Sequence, residues 1–253
     1  PQTMCRDCRP LRRRLAFAAM TKRILCIVHQ KHSRTRRVGR FLKRKGYELD
    51  VRRPCLGHPL PEHLDDHAGV IIFGGPQSAY EHDKFDFIRR ELDWMPTALE
   101  SQTPFLGICL GCQMLAQVLG GRVHTHPDGL FEVGYYPVYP TEAGAEIFGT
   151  AAVVHAYQWH KDGYEVPDSA TVLAKGERFA NQAFRYGQSA YGIQFHPELT
   201  PNTMELWSGF ANKRGVLGAQ PIEEMKVTRD AHDHKVRRWL DGFLDQWLES
   251  DAR

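Results

Sequence analysis

The chain has 253 residues, of which 42% are hydrophobic and 25% charged, ordinary globular values that exclude collagen-like, coiled-coil and wholly disordered classes. The net charge of +3 is a sum of unlike parts: residues 1–53 carry 17 bases and three acids, and residues 54–253 carry 16 bases and 27 acids. No apolar run approaches the ~18–20 residues of a membrane span, so a membrane partner is not expected.

Residues 1–21 are Arg-rich and show no sustained strand or helix period, and they are expected to form a disordered basic arm outside the fold. The six cysteines show no disulfide framework, which suits a reducing, cytoplasmic setting. Cys5/Cys8 and Cys109/Cys112 have CxxC spacing, but neither pair has two further ligands nearby, and no metal is expected.

From Lys22 onward, strand and helix patterns alternate. Ile24 to His29 is a short continuous apolar run, as in a strand buried on both faces, and Thr35 to Lys45 is a basic helix ended by Gly46. YELDV follows, then the buried strand GVIIFGGP (69–76), which runs into a Gly-Gly-Pro turn. A helix is predicted over Lys84 to Glu100, with an interruption at Pro96. PFLGI (104–108) is another buried strand, and Gly111 to Leu119 is a helix closed by two glycines. Such alternation implies an open, mostly parallel α/β sheet with helices on both faces.

Between Arg122 and Phe195 the pattern changes to short β segments, FEVGYYPVY, AAVVHAY, TVLAKG, QAFRYG and YGIQFH, expected as a mixed or antiparallel extension of that sheet. The chain finishes with an amphipathic helix over about 230–248, whose apolar residues from Val236 to Leu248 follow helical spacing. That face packs either on its own domain or on a partner. With no repeat or linker in view, residues 22–253 read as a single domain.

The chemistry concentrates in two places. Gly107-Ile108-Cys109-Leu110-Gly111 joins a buried strand directly to a helix in the pattern G-x-nucleophile-x-G, where a tight turn leaves no room for neighbouring Cβ atoms. This turn sets the Cys109 sulfur at the carboxyl edge of the sheet and at a helix N-terminus, which favours thiolate. It also aims the Leu110 N–H at any oxyanion formed there. Cys112 gives the spacing of a redox dithiol as well, against which stands a buried, inert side chain. The second place is YGIQFHPEL (191–199), where His196 and Glu198 lie two residues apart on one face of an extended segment stiffened by Pro197. A histidine shuttles protons for a thiol, and a carboxylate on its second nitrogen fixes the tautomer.

With these motifs the sequence resembles the class I glutamine amidotransferase family over most of Lys22 to about Lys213. The resemblance implies a flavodoxin-like fold, with Cys109 as nucleophile, His196 as general base and acid, and Glu198 as its orienting partner. Gly74-Gly75-Pro76-Gln77-Ser78 matches the family's G-G-P-x-S loop, which makes the Gly75 N–H the second oxyanion donor. Gln113 falls at a family glutamine that helps bind substrate. Gln158 to Asp162 resembles an S-H-G-D segment beside bound glutamine, although only His160 and Asp162 match. His160 is therefore a second substrate-binding candidate. Cys112 departs from the usual His or Met at its position.

The resemblance further implies covalent transfer of a γ-glutamyl group, without metal or organic cofactor. No nucleotide-binding loop of the synthetase kind is present, so the chain reads as a stand-alone glutaminase or amidotransferase that either releases ammonia or passes it to a separate protein subunit. A γ-glutamyl peptidase or hydrolase, and a non-catalytic binding or regulatory protein, are the alternatives. The basic N-terminus alone does not support a nucleic-acid partner, and oligomeric state is not readable.

Overall fold

The computed structural model describes residues 22–250. The expected basic arm over 1–21, with Cys5 and Cys8, lies outside the described residues. In chain order the elements are β1 (Arg23–Ile27), α1 (Arg36–Arg44), β2 (Glu48–Arg52), β3 (His67–Ile72), α2 (Asp86–Glu100), β4 (Phe105–Ile108) and α3 (Leu110–Val118). They continue as β5 (Val123–Thr125), β6 (Glu132–Pro140), α4 (Glu142–Phe148), β7 (Val154–His160), β8 (Asp162–Tyr164), β9 (Ala170–Lys175), β10 (Asn181–Tyr186) and β11 (Ala190–Ile193), and end with α5 (Pro201–Lys213) and α6 (Ile222–Glu249).

Ile24, Leu25, Cys26 and Ile27 are all fully buried, so β1 must be covered on both faces, and a parallel sheet between helices does this. The sheet has nine strands in the order β2-β1-β3-β4-β11-β10-β9-β6-β7. The first five run parallel, while β11 to β10, β10 to β9, β9 to β6 and β6 to β7 pair antiparallel. The expected mixed extension is therefore present, with one refinement. β11 pairs in parallel with β4, Ile193 opposite Ile108, and so brings the segments before His196 and Cys109 side by side.

Side-chain alternation assigns the helices to faces. Ile24, Cys26 and Ile71 pack with Val38, Phe41 and Leu42 of α1, Phe148 of α4, and Leu240, Phe243, Leu244 and Trp247 of α6. Leu25, Ile27, Val70 and Ile72 pack on the opposite face with Ile88, Met95 and Ala98 of α2 and with α3. The apolar side of α6 thus packs within this chain, its buried Val236, Leu240, Phe243, Leu244 and Trp247 matching the expected stripe.

Two expectations are corrected. Pro96 does not interrupt α2, which runs unbroken over 15 residues. The helix buries Ile88, Met95 and Ala98, and Trp94 Nε1 donates to the Pro61 carbonyl (2.7 Å). That packing outweighs the ~3 kcal/mol that an interior proline costs. The C-terminal helix begins at Ile222 rather than about 230, two turns earlier, with Pro221 at its entry and Glu223 and Glu224 in its first turn, where acids complement the helix dipole.

The charge asymmetry of the sequence is partly resolved inside the fold. Arg37 makes a two-pronged ion pair with Asp233 (2.8 and 2.6 Å), Arg44 reaches Asp241 (3.5 Å), and Lys45 reaches Asp245 (2.5 Å). The basic helix α1 therefore docks along an acidic side of α6.

Candidate functional site

Cys109 sits between β4 and α3, its N–H donating to the Ile193 carbonyl (2.8 Å). Its backbone has φ 51° and ψ −103°, a conformation that costs a non-glycine residue about 1–3 kcal/mol. The flanking glycines explain how so sharp a turn closes. A Cβ on Gly107 would strike the backbone of Gly111, and one on Gly111 would strike the Ile72 carbonyl. The turn places the Cys109 sulfur at the first turn of α3, with the Trp159 carbonyl 3.7 Å away. Cys112, three residues on, is fully buried in the core and forms no disulfide among the described residues, and burial pushes its thiol far above the ordinary range.

His196 follows β11, its N–H donating to the Tyr157 carbonyl (2.8 Å). Its ring Nδ1 lies 2.8 Å from Glu198 Oε1, and both side chains are almost wholly buried. The Arg37 N–H donates to the Glu198 carbonyl (3.2 Å), tying the start of α1 to this turn. Ring Nε2 of His196 is buried and has no protein partner among the described residues. Burial by itself would lower the imidazole's affinity for a proton. The Glu198 carboxylate and the neighbouring Cys109 sulfur outweigh that effect and push the pKa up to about 10. His196 and Cys109 converge on Gly74, where an added Cβ would stand 2.8 Å from His196 Cε1 and 3.5 Å from Cys109 Cβ.

Gly74 and Gly75 lead out of β3, so the loop passes directly over the thiol and the imidazole. The N–H groups of Gly75 and Leu110 have no hydrogen-bond acceptor among the described residues. The loop is fixed further along by Ser78 Oγ, which donates to Asp162 Oδ2 (2.5 Å). Gln113 Nε2 donates to the Asp162 carbonyl (3.1 Å) and to Gln194 Oε1 (3.2 Å). His160 has Nδ1 3.0 Å from the Asp162 carbonyl and Nε2 3.0 Å from Glu132 Oε2. Glu132 Oε2 also accepts from Gln182 Nε2 (3.1 Å), whose Oε1 accepts from Gln158 Nε2 (2.7 Å).

Cys109, His196, Glu198, Gly75 and Leu110 thus gather at the carboxyl edge of the parallel strands, with Gln113 on the helix behind the thiol. His160 is close by in the fold but committed on both ring nitrogens to protein atoms, so it braces the Asp162 segment rather than offering a free donor. Sequence reasoning did not find His29, Glu91, Glu132, Arg36 or Trp207, which surround these groups. No spacing signal marks them: His29 meets Glu91, Glu132 meets His160 and Arg36 meets Thr203 from well-separated parts of the chain, and Trp207 lies on α5, outside the motif that holds His196. Among the described residues, no group of three His, Cys, Asp or Glu side chains is placed to hold a metal ion.

Comparison with known families matches residues 30–209 to the family described as glutamine amidotransferase class-I. The chain is 32% identical over 233 residues to the glutamine amidotransferase-like protein YfeJ of Salmonella typhimurium, covering 87% of this chain and 96% of that protein. It is 32% identical over 188 residues to the glutamine-hydrolysing GMP synthase of Lactococcus lactis subsp. cremoris, covering 70% of this chain but only 35% of that protein. Among solved structures, a glutamine amidotransferase from Thermotoga maritima superposes with a TM-score of 0.80 at 28% identity, covering 90% of this chain and 98% of that one.

Proposed function

Because the chain belongs to the glutamine amidotransferase class-I family, we propose that it hydrolyses the γ-carboxamide of glutamine through Cys109, His196 and Glu198. The observation that carries this reading is the orientation of His196, with Nδ1 held by Glu198 at 2.8 Å and Nε2 left without a protein partner beside the thiol.

In the reaction, the Cys109 thiolate attacks the amide carbon, and the carbonyl oxygen becomes an oxyanion that accepts from the N–H groups of Gly75 and Leu110. The His196 imidazolium gives its proton to the departing nitrogen as the C–N bond breaks, leaving a γ-glutamyl thioester and ammonia. A water molecule, deprotonated by the now neutral His196, attacks the thioester. Collapse of that second intermediate expels the Cys109 thiolate and yields glutamate. Glu198 holds the imidazole in one orientation throughout and stabilises its charged form. Gln113, fastened to Asp162 and Gln194, keeps the floor of the site in place and faces the glutamine moiety. In the GMP synthase relative, the matched segment makes up about a third of the protein, and its name couples glutamine hydrolysis to synthesis. By that likeness, the ammonia is passed to an acceptor-bearing synthetase protein.

The test is ammonia release from glutamine by the wild type and by Cys109→Ala, with γ-glutamyl peptides as competing substrates. Turnover of glutamine that Cys109→Ala abolishes supports the proposal. Undiminished turnover in that variant, or cleavage of peptides with negligible action on glutamine, would sink it.

A further inference from the structure

A second buried histidine–carboxylate pair lies behind the Gly74–Gly75 loop and takes no part in the chemistry above. His29 follows β1 and Glu91 lies on α2, and neither side chain has any exposed surface. His29 Nε2 is 3.0 Å from Glu91 Oε2, and its Nδ1 is 3.2 Å from the Gly74 carbonyl oxygen. Withdrawing such a pair from water costs several kcal/mol per ion, and apolar side chains would fill the same space as well. Its location suggests what it does there.

The Gly74 carbonyl and the Gly75 N–H belong to one planar peptide unit, and the described residues contain no cis peptide bond. In a trans peptide the two groups point in opposite directions. Drawing the carbonyl toward His29 therefore turns the N–H away from His29, toward the side on which Cys109 and His196 converge. The loop also has no slack. A Cβ on Gly75 would fall 2.8 Å from both His29 Cβ and Leu110 Cδ2. Two consecutive glycines give this peptide plane no side chain of its own to hold it, so its orientation depends on the groups packed around it, and a rotated plane would withdraw the donor.

We infer that His29, anchored by Glu91, is a positioning residue that locks the Gly74–Gly75 peptide with its N–H facing the Cys109 sulfur; this rests on the proposed oxyanion role of that N–H. The charge state supports the arrangement. Burial works against protonation of His29, but Glu91 and the carbonyls of Gly74 and Phe73 together raise its pKa above the ordinary histidine value. In the protonated form both ring nitrogens carry hydrogens, one for each acceptor.

The test compares two reactions of the full-length protein at Cys109. Glutamine hydrolysis builds an oxyanion, whereas alkylation by iodoacetamide displaces iodide and builds none. The variant His29→Leu/Glu91→Leu removes the pair without stranding a buried charge. It should lose about 10²–10³-fold in kcat, the usual effect of one oxyanion donor, with KM and the alkylation rate within about threefold of wild type. Glu91→Gln should stay within about tenfold of wild-type kcat, because its amide can donate to Nε2 and leave the Nδ1 hydrogen on the Gly74 carbonyl. The inference falls if the double variant hydrolyses glutamine normally, if hydrolysis and alkylation collapse together, or if Glu91→Gln is as impaired as the double variant. No hydrolysis by the wild type would instead overturn the functional reading, and this inference with it.

Discussion

Trp207 stands edge-on to the imidazole of His196, with ring centroids 5.5 Å apart and planes at 87°. The Arg36 guanidinium lies over the Trp207 ring at 5.4 Å, and Arg36 Nη1 donates to Thr203 Oγ1 (2.5 Å). The indole is thus fixed from behind and bounds the space in which His196 can turn. Trp207→Ala is expected to lower kcat for glutamine by about 10- to 100-fold, the scale of a misplaced catalytic group, while Trp207→Phe stays within about threefold. Steady-state ammonia release, with a thermal melt to confirm folding, reads this directly. Equal activity in both variants would show that the ring merely fills space.

The pH dependence follows from His196. Its pKa is raised from the ordinary 6.5 to about 10: burial works to lower it, but Glu198 and Cys109 win. The imidazolium that protonates departing ammonia is lost as pH climbs through that value, so kcat/KM should fall on an alkaline limb near 10. Glu198→Gln removes the strongest raising influence and should move the limb toward neutrality. For stability the sign is the same. A raised folded pKa contributes stabilisation that is complete below about pH 6.5 and fades as pH rises through about 10. Urea midpoints should decline over that window in the wild type and decline less in Glu198→Gln. An unchanged slope would contradict the assignment.

What could be read in advance divides along a physical line. The strands around Ile24–Ile27, Val70–Ile72 and Phe105–Ile108 are continuous apolar runs, and the Cys109 turn and the His196–Glu198 pair are local motifs, so a short window holds the whole signal. His29 and Glu91 are 62 positions apart and share no such window, because their meeting depends on β1 and α2 being assembled first. The same holds for the ion pairs of α1 with α6, which turn an apparent charge imbalance into an internal contact. The short pair of β5 with β8, three residues each, has too few side chains to show a period. α4 is only seven residues long, although its Thr141 cap, accepting from the Gly144 N–H, is a local sign that could have been found.

The backbone at Cys109 gives a prediction independent of catalysis. With φ at 51° and ψ at −103°, the position suits glycine better than any residue with a Cβ. Cys109→Ala and Cys109→Gly both remove the thiol, yet the glycine variant should be the more stable by about 1 kcal/mol. This reverses the usual order, in which alanine leads by about 0.5–1 kcal/mol. Urea denaturation of the two proteins decides it. A more stable alanine variant would mean that the turn holds no strain.

His160 allows its two roles to be separated. Glu132 is 1% exposed, and its Oε2 is held by His160 Nε2 (3.0 Å) and Gln182 Nε2 (3.1 Å). Replacing His160 by Leu strands much of that carboxylate and should cost about 3–5 kcal/mol of stability, the usual penalty for breaking a buried pair. His160→Leu/Glu132→Leu should recover a good part of the loss, because the penalty belongs to the unpaired charge rather than to the missing imidazole. A residue that gripped glutamine directly would behave in the opposite way, raising KM while leaving the denaturation midpoint in place. Measuring both quantities on the two variants therefore distinguishes a brace for the Asp162 segment from a ligand contact, and the bonds on both ring nitrogens favour the brace.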